Sequence, residues 1–281
     1  MMLHHQRLRA PAKINLALRV VGRRADGYHL LDSVFLPLDW GDEIALTIAE
    51  ANAAVVACEL RTTAEAPLIS DGLASEAARR YLAQAKVCAR VSLEIDKRIW
   101  ISAGLGGGSS DAATVLCALN RHFAALSSTE LSALALSLGA DVPYFLTPLP
   151  ARVRGVGEQI SPLDGLPALD LLLVNPKMPL STAAVFAAHR QPPSPPLPET
   201  LDLSDTSWIT NDLLPAACAL CPAVAAAFEA LRSFDPLFCS LSGSGATLFA
   251  GFATAEQTSD AATQLSEKKS LMTAIVRTLA A

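Results

Sequence analysis

With 281 residues, 51% of them hydrophobic and 17% charged, the chain has material for one large or two ordinary domains and lies far from disordered compositions. Its formal net charge of −5 argues against a nucleic acid or an acidic membrane as the main partner. No apolar run reaches the roughly 18 residues of a membrane span, and Met1-Met2-Leu3-His4-His5-Gln6-Arg7 lacks the apolar segment of a signal peptide, so a cytoplasmic protein is expected.

Residues 13–20 alternate with the period of a strand. Ile14, Leu16, Leu18 and Val20 share the face that the core takes. Lys13, Asn15, Ala17 and Arg19 share the other, so Lys13 and Asn15 are expected to project together away from that core. Gly22 to His29 is a turn-rich basic loop ending in two planar rings, Tyr28 and His29, which suit stacking on a base or a plain surface position. Residues 44–48 and 53–58 read as short strands. The six cysteines are scattered. Cys218 and Cys221 have the spacing of a zinc or redox pair, but no second pair is near and they are read as core thiols. His4-His5 is read as a chain end rather than a metal site.

Val91 to Ile95 alternates again, and Ala112, Val115, Leu116, Leu119, His122 and Phe123 follow at helical spacing. Between them lies Ala103-Gly104-Leu105-Gly106-Gly107-Gly108-Ser109-Ser110-Asp111, so the order is strand, glycine-rich loop, helix start. Glycines let the backbone come close to a ligand. The first helical N–H groups have no internal partner and carry the positive end of the helix dipole. Together they make an anion site, most often for phosphate. A Walker A loop does not fit, because Ser109 and not Lys follows the last glycine. A dinucleotide fingerprint does not fit either, because its sixth position falls on Ser109. Ser109 and Ser110 are expected both to cap the helix and to turn hydroxyls toward phosphate or Mg²⁺.

Ser127 with Glu130 is a capping box; Leu131, Leu134, Ala135 and Leu138 line one helical face, and Gly139 ends it. Asp141, ahead of Val142-Pro143, is either a turn former or a carboxylate placed to accept a hydroxyl proton. Strands are expected at 152–156 and 169–174, opening a second domain. Thr182 is read as the cap of a helix carrying Phe186. Residues 191–198 hold five prolines and are expected to be an extended, exposed spacer. A helical segment runs from Asn211 to Leu231. Strands at 237–241 and 247–252 flank Ser242-Gly243-Ser244-Gly245-Ala246, and a helix at 255–266 and a strand at 271–278 close the chain. The alternation says mixed α and β.

Three of these stretches, in order, carry a resemblance. Pro11-Ala12-Lys13-Ile14-Asn15-Leu16 resembles the first motif of the GHMP kinases, residues 103–110 the second, and residues 242–246 the third. Arg24-Ala25-Asp26-Gly27-Tyr28-His29 and Leu138-Gly139-Ala140-Asp141-Val142-Pro143 resemble the branch that phosphorylates a cytidine-diphosphate-linked methylerythritol on the non-mevalonate route to isoprenoid precursors. The resemblance implies an α+β, two-domain GHMP kinase fold. Residues 1–150 would form a ribosomal-protein-S5-like, ATP-binding lobe containing a left-handed βαβ unit. Residues 151–281 would form a ferredoxin-like lobe whose last strand returns to the first.

It further implies ATP-dependent phosphorylation, with Mg²⁺, of the 2-hydroxyl of that small-molecule substrate. Lys13 and Asp141 would be the catalytic pair. Ala103, Gly104, Leu105, Gly106, Gly107, Gly108, Ser109 and Ser110 would hold ATP, with Ser110 and Asp111 the candidates for the metal. Asn15, Tyr28, His29, Thr182, Phe186, Gly243 and Ser244 would meet the substrate, Phe186 sandwiching cytosine opposite His29. No nucleic acid or membrane partner is implied, and the chain would be a monomer or homodimer. Three positions depart from the family pattern. Gly72, after Asp71, replaces an Asn expected near the adenine, and Trp100 and Ser102 replace Pro and Gly. Trp100 is read either as a ring for the adenine or as core. Two rivals remain, another GHMP small-molecule kinase and a non-catalytic nucleotide-binding protein on the same scaffold; retention of Lys13, Asn15 and Asp141 favours an enzyme.

Overall fold

A computed structural model describes residues 3–62 and 72–280; Met1, Met2 and Asp71 lie outside them. The chain forms two compact units. The first comprises Met1–Ala12, Trp40–Ile101 and Gly106–Pro148, and the second Lys13–Asp39, Ser102–Leu105 and Leu149–Ala281. Strands β1 (Leu3–Arg23) and β2 (His29–Glu50), which pair, therefore contribute residues to both. The short strand expected at 44–48 is the end of this 22-residue β2.

In the first unit β2 pairs antiparallel with β4 (Ala89–Lys97), setting Ile44 opposite Ile95, Leu46 opposite Leu93 and Ile48 opposite Val91. All six are buried, which fixes the register, since a one-residue slip would turn them to water. β3 (Val55–Thr62) runs parallel to β4, and α1 (Leu73–Ala85) makes the crossover between them. α1 packs on α2 (Gly107–Phe123); Ala74, Ala77, Ala78, Ala112 and Ala113 are buried on these two helices, and Tyr81 donates to Asn120 Oδ1 at 2.9 Å. α3 (Ser128–Leu138) begins with the expected box: Ser127 Oγ accepts from Glu130 N, and Ser127 N donates to Glu130 Oε2. A 3-10 turn, Tyr144–Leu146, follows.

In the second unit β2 pairs with β5 (Ala151–Gly155), and β5 with β6 (Gln159–Pro162). A separate antiparallel sheet has the order β10-β7-β9-β8, from β7 (Asp170–Asn175), β8 (Phe238–Leu241), β9 (Leu248–Gly251) and β10 (Met272–Arg277). With α4 (Thr182–Ala188), α5 (Leu214–Leu220) and α6 (Pro222–Arg232) after β7 and α7 (Ala255–Ser266) after β9, this is the β-α-β-β-α-β ferredoxin-like order. Its core centres on Leu172, Val174, Val185, Val224, Leu231 and Leu248. The chain end reaches β2 through a bridge between Leu38 and Thr278.

Four expectations need correction. The polar face of β1 does not meet solvent: Lys13, Asn15 and Ala17 are as buried as Ile14 and Leu16. A strand covered on both faces keeps polar side chains only where they find partners, and these do. The helical segment expected across 211–231 is two helices, because Pro222 has no N–H to carry α5 onward. Ser181, not Thr182, caps α4, its hydroxyl accepting from Ala184 N at 3.4 Å. The proline-rich stretch is not a free spacer, since Leu197 is buried and its backbone is bonded at both polar atoms. Among the described residues no helix is long and apolar enough to cross a membrane.

Candidate active site

Within the second unit, three segments far apart in sequence are bonded to one another. Lys13 N donates to Leu105 O at 3.0 Å, and Thr247 N to Ala103 O at 3.2 Å. Ser242 Oγ donates to Gly104 O at 2.8 Å and accepts from Asn15 N at 3.3 Å. Gly104 holds φ +78°, and a Cβ there would lie 2.2 Å from Ser242 O, so only glycine allows this approach. Two residues earlier Ser102 holds a φ of +54° without being glycine, a conformation that costs a side-chain-bearing residue about 1 kcal/mol. The Asn211 amide donates to Leu241 O and Gly243 O and so fixes the turn at 242–246. Nothing in the sequence marked Asn211 for this.

At Gly106 the chain enters the first unit. Gly106, at φ 73°, is the N-cap of α2 and no side chain caps the helix. Neither Ser109 nor Ser110 therefore has the capping half of its expected role; both lie inside the first turns. A Cβ on the exposed Gly108 would meet nothing within 4 Å, which leaves that side of the first turn open to an anion. Ser110 Oγ is buried without a hydrogen-bond partner.

Beneath that turn, in the same unit, lies a buried charge cluster that the sequence did not reveal. Lys97 Nζ donates to Asp111 Oδ2 at 2.6 Å and also to Asp42 Oδ2. Asp42 Oδ1 accepts from Arg98 N at 2.6 Å and Ile99 N at 2.8 Å. One ammonium thus serves two buried carboxylates. Burial would lower the Lys97 pKa, but the charges of Asp111 and Asp42 and their hydrogen bonds outweigh it and raise it. For Asp111 burial dominates: the carboxyl is pushed up to about 7, Lys97 opposing and Asp42 adding. A carboxyl raised in the folded state stabilises most below its unfolded value, about 3.9, and that contribution is lost as pH rises through about 7. Asp111→Asn should therefore gain about 4 kcal/mol on the wild type between pH 4 and 8, as measured by denaturant unfolding across that range. Parallel curves for the two proteins would refute it.

Asp141 follows the Gly139 cap of α3, where Val142 N closes a turn on Gly139 O at 3.1 Å. It is half-buried. Burial pushes the Tyr144 phenol far up, and the Asp141 charge adds to it, which places this carboxylate beside a buried ring. Among the described residues no group of three or more His, Cys, Asp or Glu is arranged to hold a metal ion.

Back in the second unit, Lys13 Nζ donates to Asn15 Oδ1 at 2.5 Å and lies 4.4 Å from the Phe35 ring centroid. Asn15 Nδ2 donates to Ser33 Oγ at 3.0 Å, and Ser33 Oγ to Ala17 O at 2.6 Å. The ammonium is held in one place by this chain. His29 and Phe186 stack with centroids 5.2 Å apart and planes 28° from parallel. Tyr28 is 63% exposed and has no part in that stack. Thr182 Oγ1 and Ser244 Oγ share a hydrogen bond at 2.8 Å. In the first unit, Gly72 contributes only backbone at the start of α1, and half-buried Trp100 packs edge to face with Trp40 at 5.2 Å.

Residues 72–147 match the family model of the GHMP kinases N terminal domain, and residues 201–270 that of the GHMP kinases C terminal domain. A 4-diphosphocytidyl-2-C-methyl-D-erythritol kinase of Mesorhizobium japonicum is 41% identical over 271 residues, covering 92% of this chain and 91% of its own. The kinase of that name from Paracoccus denitrificans is 42% identical over 262 residues, covering 90% and 89%. A crystal structure of 4-(cytidine 5'-diphospho)-2C-methyl-D-erythritol kinase superposes with a TM-score of 0.82 at 33% identity, over 98% of this chain and 100% of that one. Homoserine kinase from Cytophaga hutchinsonii, at 18% identity and a TM-score of 0.71, shares the fold over 98% of this chain and 95% of its own.

Proposed function

The chain belongs to the GHMP kinase family, and we propose that it transfers the γ-phosphoryl group of ATP to the 2-hydroxyl of 4-diphosphocytidyl-2-C-methyl-D-erythritol. The step serves isoprenoid precursor synthesis by the non-mevalonate route. The observation that carries the reading is the bonding of residues 13–15, 103–105 and 242–247 into one cluster, in the unit that also stacks His29 on Phe186. Relatives about 40% identical over nearly the whole chain support the same substrate.

Phosphoryl transfer asks a protein mainly for in-line positioning and for neutral surroundings for developing charge. The uncapped start of α2 offers unpaired N–H groups to the triphosphate. Ser110 Oγ and Asp111 Oδ1, both buried and without hydrogen-bond partners, are the atoms of this chain that would hold a Mg²⁺ bound with the nucleotide, which would supply charge neutralisation. Asp141 accepts the proton of the attacking hydroxyl. Lys13 is its cationic companion in the reaction, held by Asn15. His29 and Phe186 take the cytosine ring, and the backbone at Gly243 and Ser244 takes the diphosphate. In this reading residues 1–150 carry the ATP-binding domain and residues 151–281 the second domain of the family, with residues 13–39 and 102–105 packed in the same compact unit as the latter, in a cytoplasmic monomer or homodimer.

The test is direct. The purified protein with ATP and Mg²⁺ should release ADP and give a phosphorylated product by mass with the cytidyl substrate, and none with mevalonate, galactose or homoserine. Turnover of a comparator alone would discard the cytidine assignment and keep the kinase; ATP binding with no turnover of any would discard the enzyme.

A further inference from the structure

In the second unit a short segment just ahead of α5 holds two parts of the site at once. Its backbone lies along β1: Leu18 N donates to Thr210 O at 2.8 Å, and Asp212 N to Leu18 O at 3.0 Å. Asp212 Oδ2 accepts a further bond from Val20 N at 2.7 Å. β1 is the strand that carries Lys13 and Asn15. Between these backbone anchors Asn211, 5% exposed, sends its side chain onto the 242–246 turn.

Every hydrogen of that amide is used. Nδ2 donates to Leu241 O at 2.7 Å and to Gly243 O at 2.8 Å, while Oδ1 accepts from Leu213 N at 2.8 Å and fixes which way the amide faces. Two carbonyls of the turn are thereby drawn to one side. Ser242 N donates to Thr247 O and Gly245 N to Ser242 O, and among the described residues nothing accepts from Gly243 N or Ser244 N. Successive backbone donors left over in a tight turn form a concavity for an anion. The turn has little room to sit elsewhere, since a Cβ on Gly243 would lie 3.2 Å from Asn15 Oδ1 and 3.4 Å from Gly104 O.

We infer that Asn211 is a positioning residue of the transfer reaction: by holding the Leu241 and Gly243 carbonyls it keeps the Gly243 and Ser244 N–H groups turned toward the substrate's diphosphate. The inference rests on the cytidyl-diphosphate reading above, and in it Asn211 itself touches no substrate. Two glycines in five residues leave the turn otherwise free to rotate its peptide groups, so its preorganisation has to come from outside it.

Asn211→Ser keeps a short acceptor for Leu213 N, as serine does in the equivalent turn, but cannot reach the two carbonyls. The readouts are inhibition by CDP and by cytidine, which compete with the cytidyl substrate and differ in the diphosphate. Asn211→Ser should raise KM for the cytidyl substrate and the inhibition constant of CDP about tenfold. The constant for cytidine and KM for ATP should stay within about twofold. Asn211→Asp keeps the shape and the bond from Leu213 N but sets a carboxylate against both carbonyls, and should weaken CDP further. Unchanged CDP inhibition in both variants overturns the inference. So does an equal rise for CDP, cytidine and ATP, or failure of both variants to fold, since either shows a structural role only. A wild-type enzyme that neither CDP nor cytidine inhibits overturns the cytidyl reading itself, and the inference with it.

Discussion

Asp141→Asn is expected to lower kcat by about 10²–10⁴-fold, the span that general-base catalysis contributes, while nucleotide affinity and melting temperature stay close to wild type. The amide keeps the size of the carboxylate and its place after the α3 cap, where backbone bonds from Val142 and Phe145 already define the turn. What it loses is the charge and the basicity that take the hydroxyl proton as the phosphorus–oxygen bond forms. The half-buried position fits such a role, since a carboxylate that must reach a substrate cannot be sealed in the core. Asp141→Glu should retain part of the rate, because it keeps the charge and misplaces it by one methylene. The decisive measurement is single-turnover phosphoryl transfer beside nucleotide binding by calorimetry. A rate in Asp141→Asn within about fivefold of wild type would leave Asp141 as the turn former its sequence context also allows.

Local signals were readable in the sequence because they depend on neighbours only. The capping box at Ser127 and Glu130, the glycine stop at 139, the helix at 255–266 and the alternating strand at 91–95 all formed where the residues said they would. The glycine loop running into a helix start was legible for the same reason. Partnerships were not. Lys13 and Asn15 share a strand face as the alternation requires, but whether that face meets water depends on β2, and Ser33 is the residue that satisfies Asn15. Thr182 and Ser181 are both good caps, and the sequence cannot choose between them; Thr182 bonds Ser244 instead, 62 positions away. Lys97 reads as an ordinary charge at a strand end until Asp42, 55 positions earlier, is folded beside it. Sequence periodicity reports which residues face inward, and leaves open which polar atoms meet there.

The largest stability effect is expected where two such unforeseen partners meet. Arg152 and Asp32 form a bidentate pair, Nε to Oδ1 at 2.8 Å and Nη2 to Oδ2 at 2.7 Å, with both side chains almost wholly buried. Arg152 spends its remaining donors on the carbonyls of Leu197 and Pro198, and Leu197 N donates to Asp32 Oδ2 at 3.0 Å. The pair is therefore what seats the proline-rich stretch, whose prolines have no N–H of their own to offer. Arg152→Met would strip a buried carboxylate of its bidentate partner and leave it only the half-exposed Arg154, whose Nε lies 3.5 Å from Oδ1. That change costs about 3 kcal/mol and should lower the melting temperature by roughly 10 °C. Proteolysis within residues 191–198 should rise with it. The double variant Arg152→Met with Asp32→Leu removes both charges and should recover most of the loss, since a buried pair and an apolar replacement are often of equal stability. Acid gives the same contrast by another route. Burial alone would push the Asp32 carboxyl up, but the Arg152 hydrogen bonds, Leu197 N–H and the two arginine charges hold it below its ordinary value. A carboxyl lowered in the folded state stabilises above its unfolded pKa, about 3.9, and that contribution is lost as pH falls through the folded value. Wild type should thus lose stability more steeply than the double variant below about pH 4. Equal melting temperatures for wild type and Arg152→Met would show that the pair holds nothing, and equal acid limbs for wild type and the double variant would show that Asp32 is not the group that titrates.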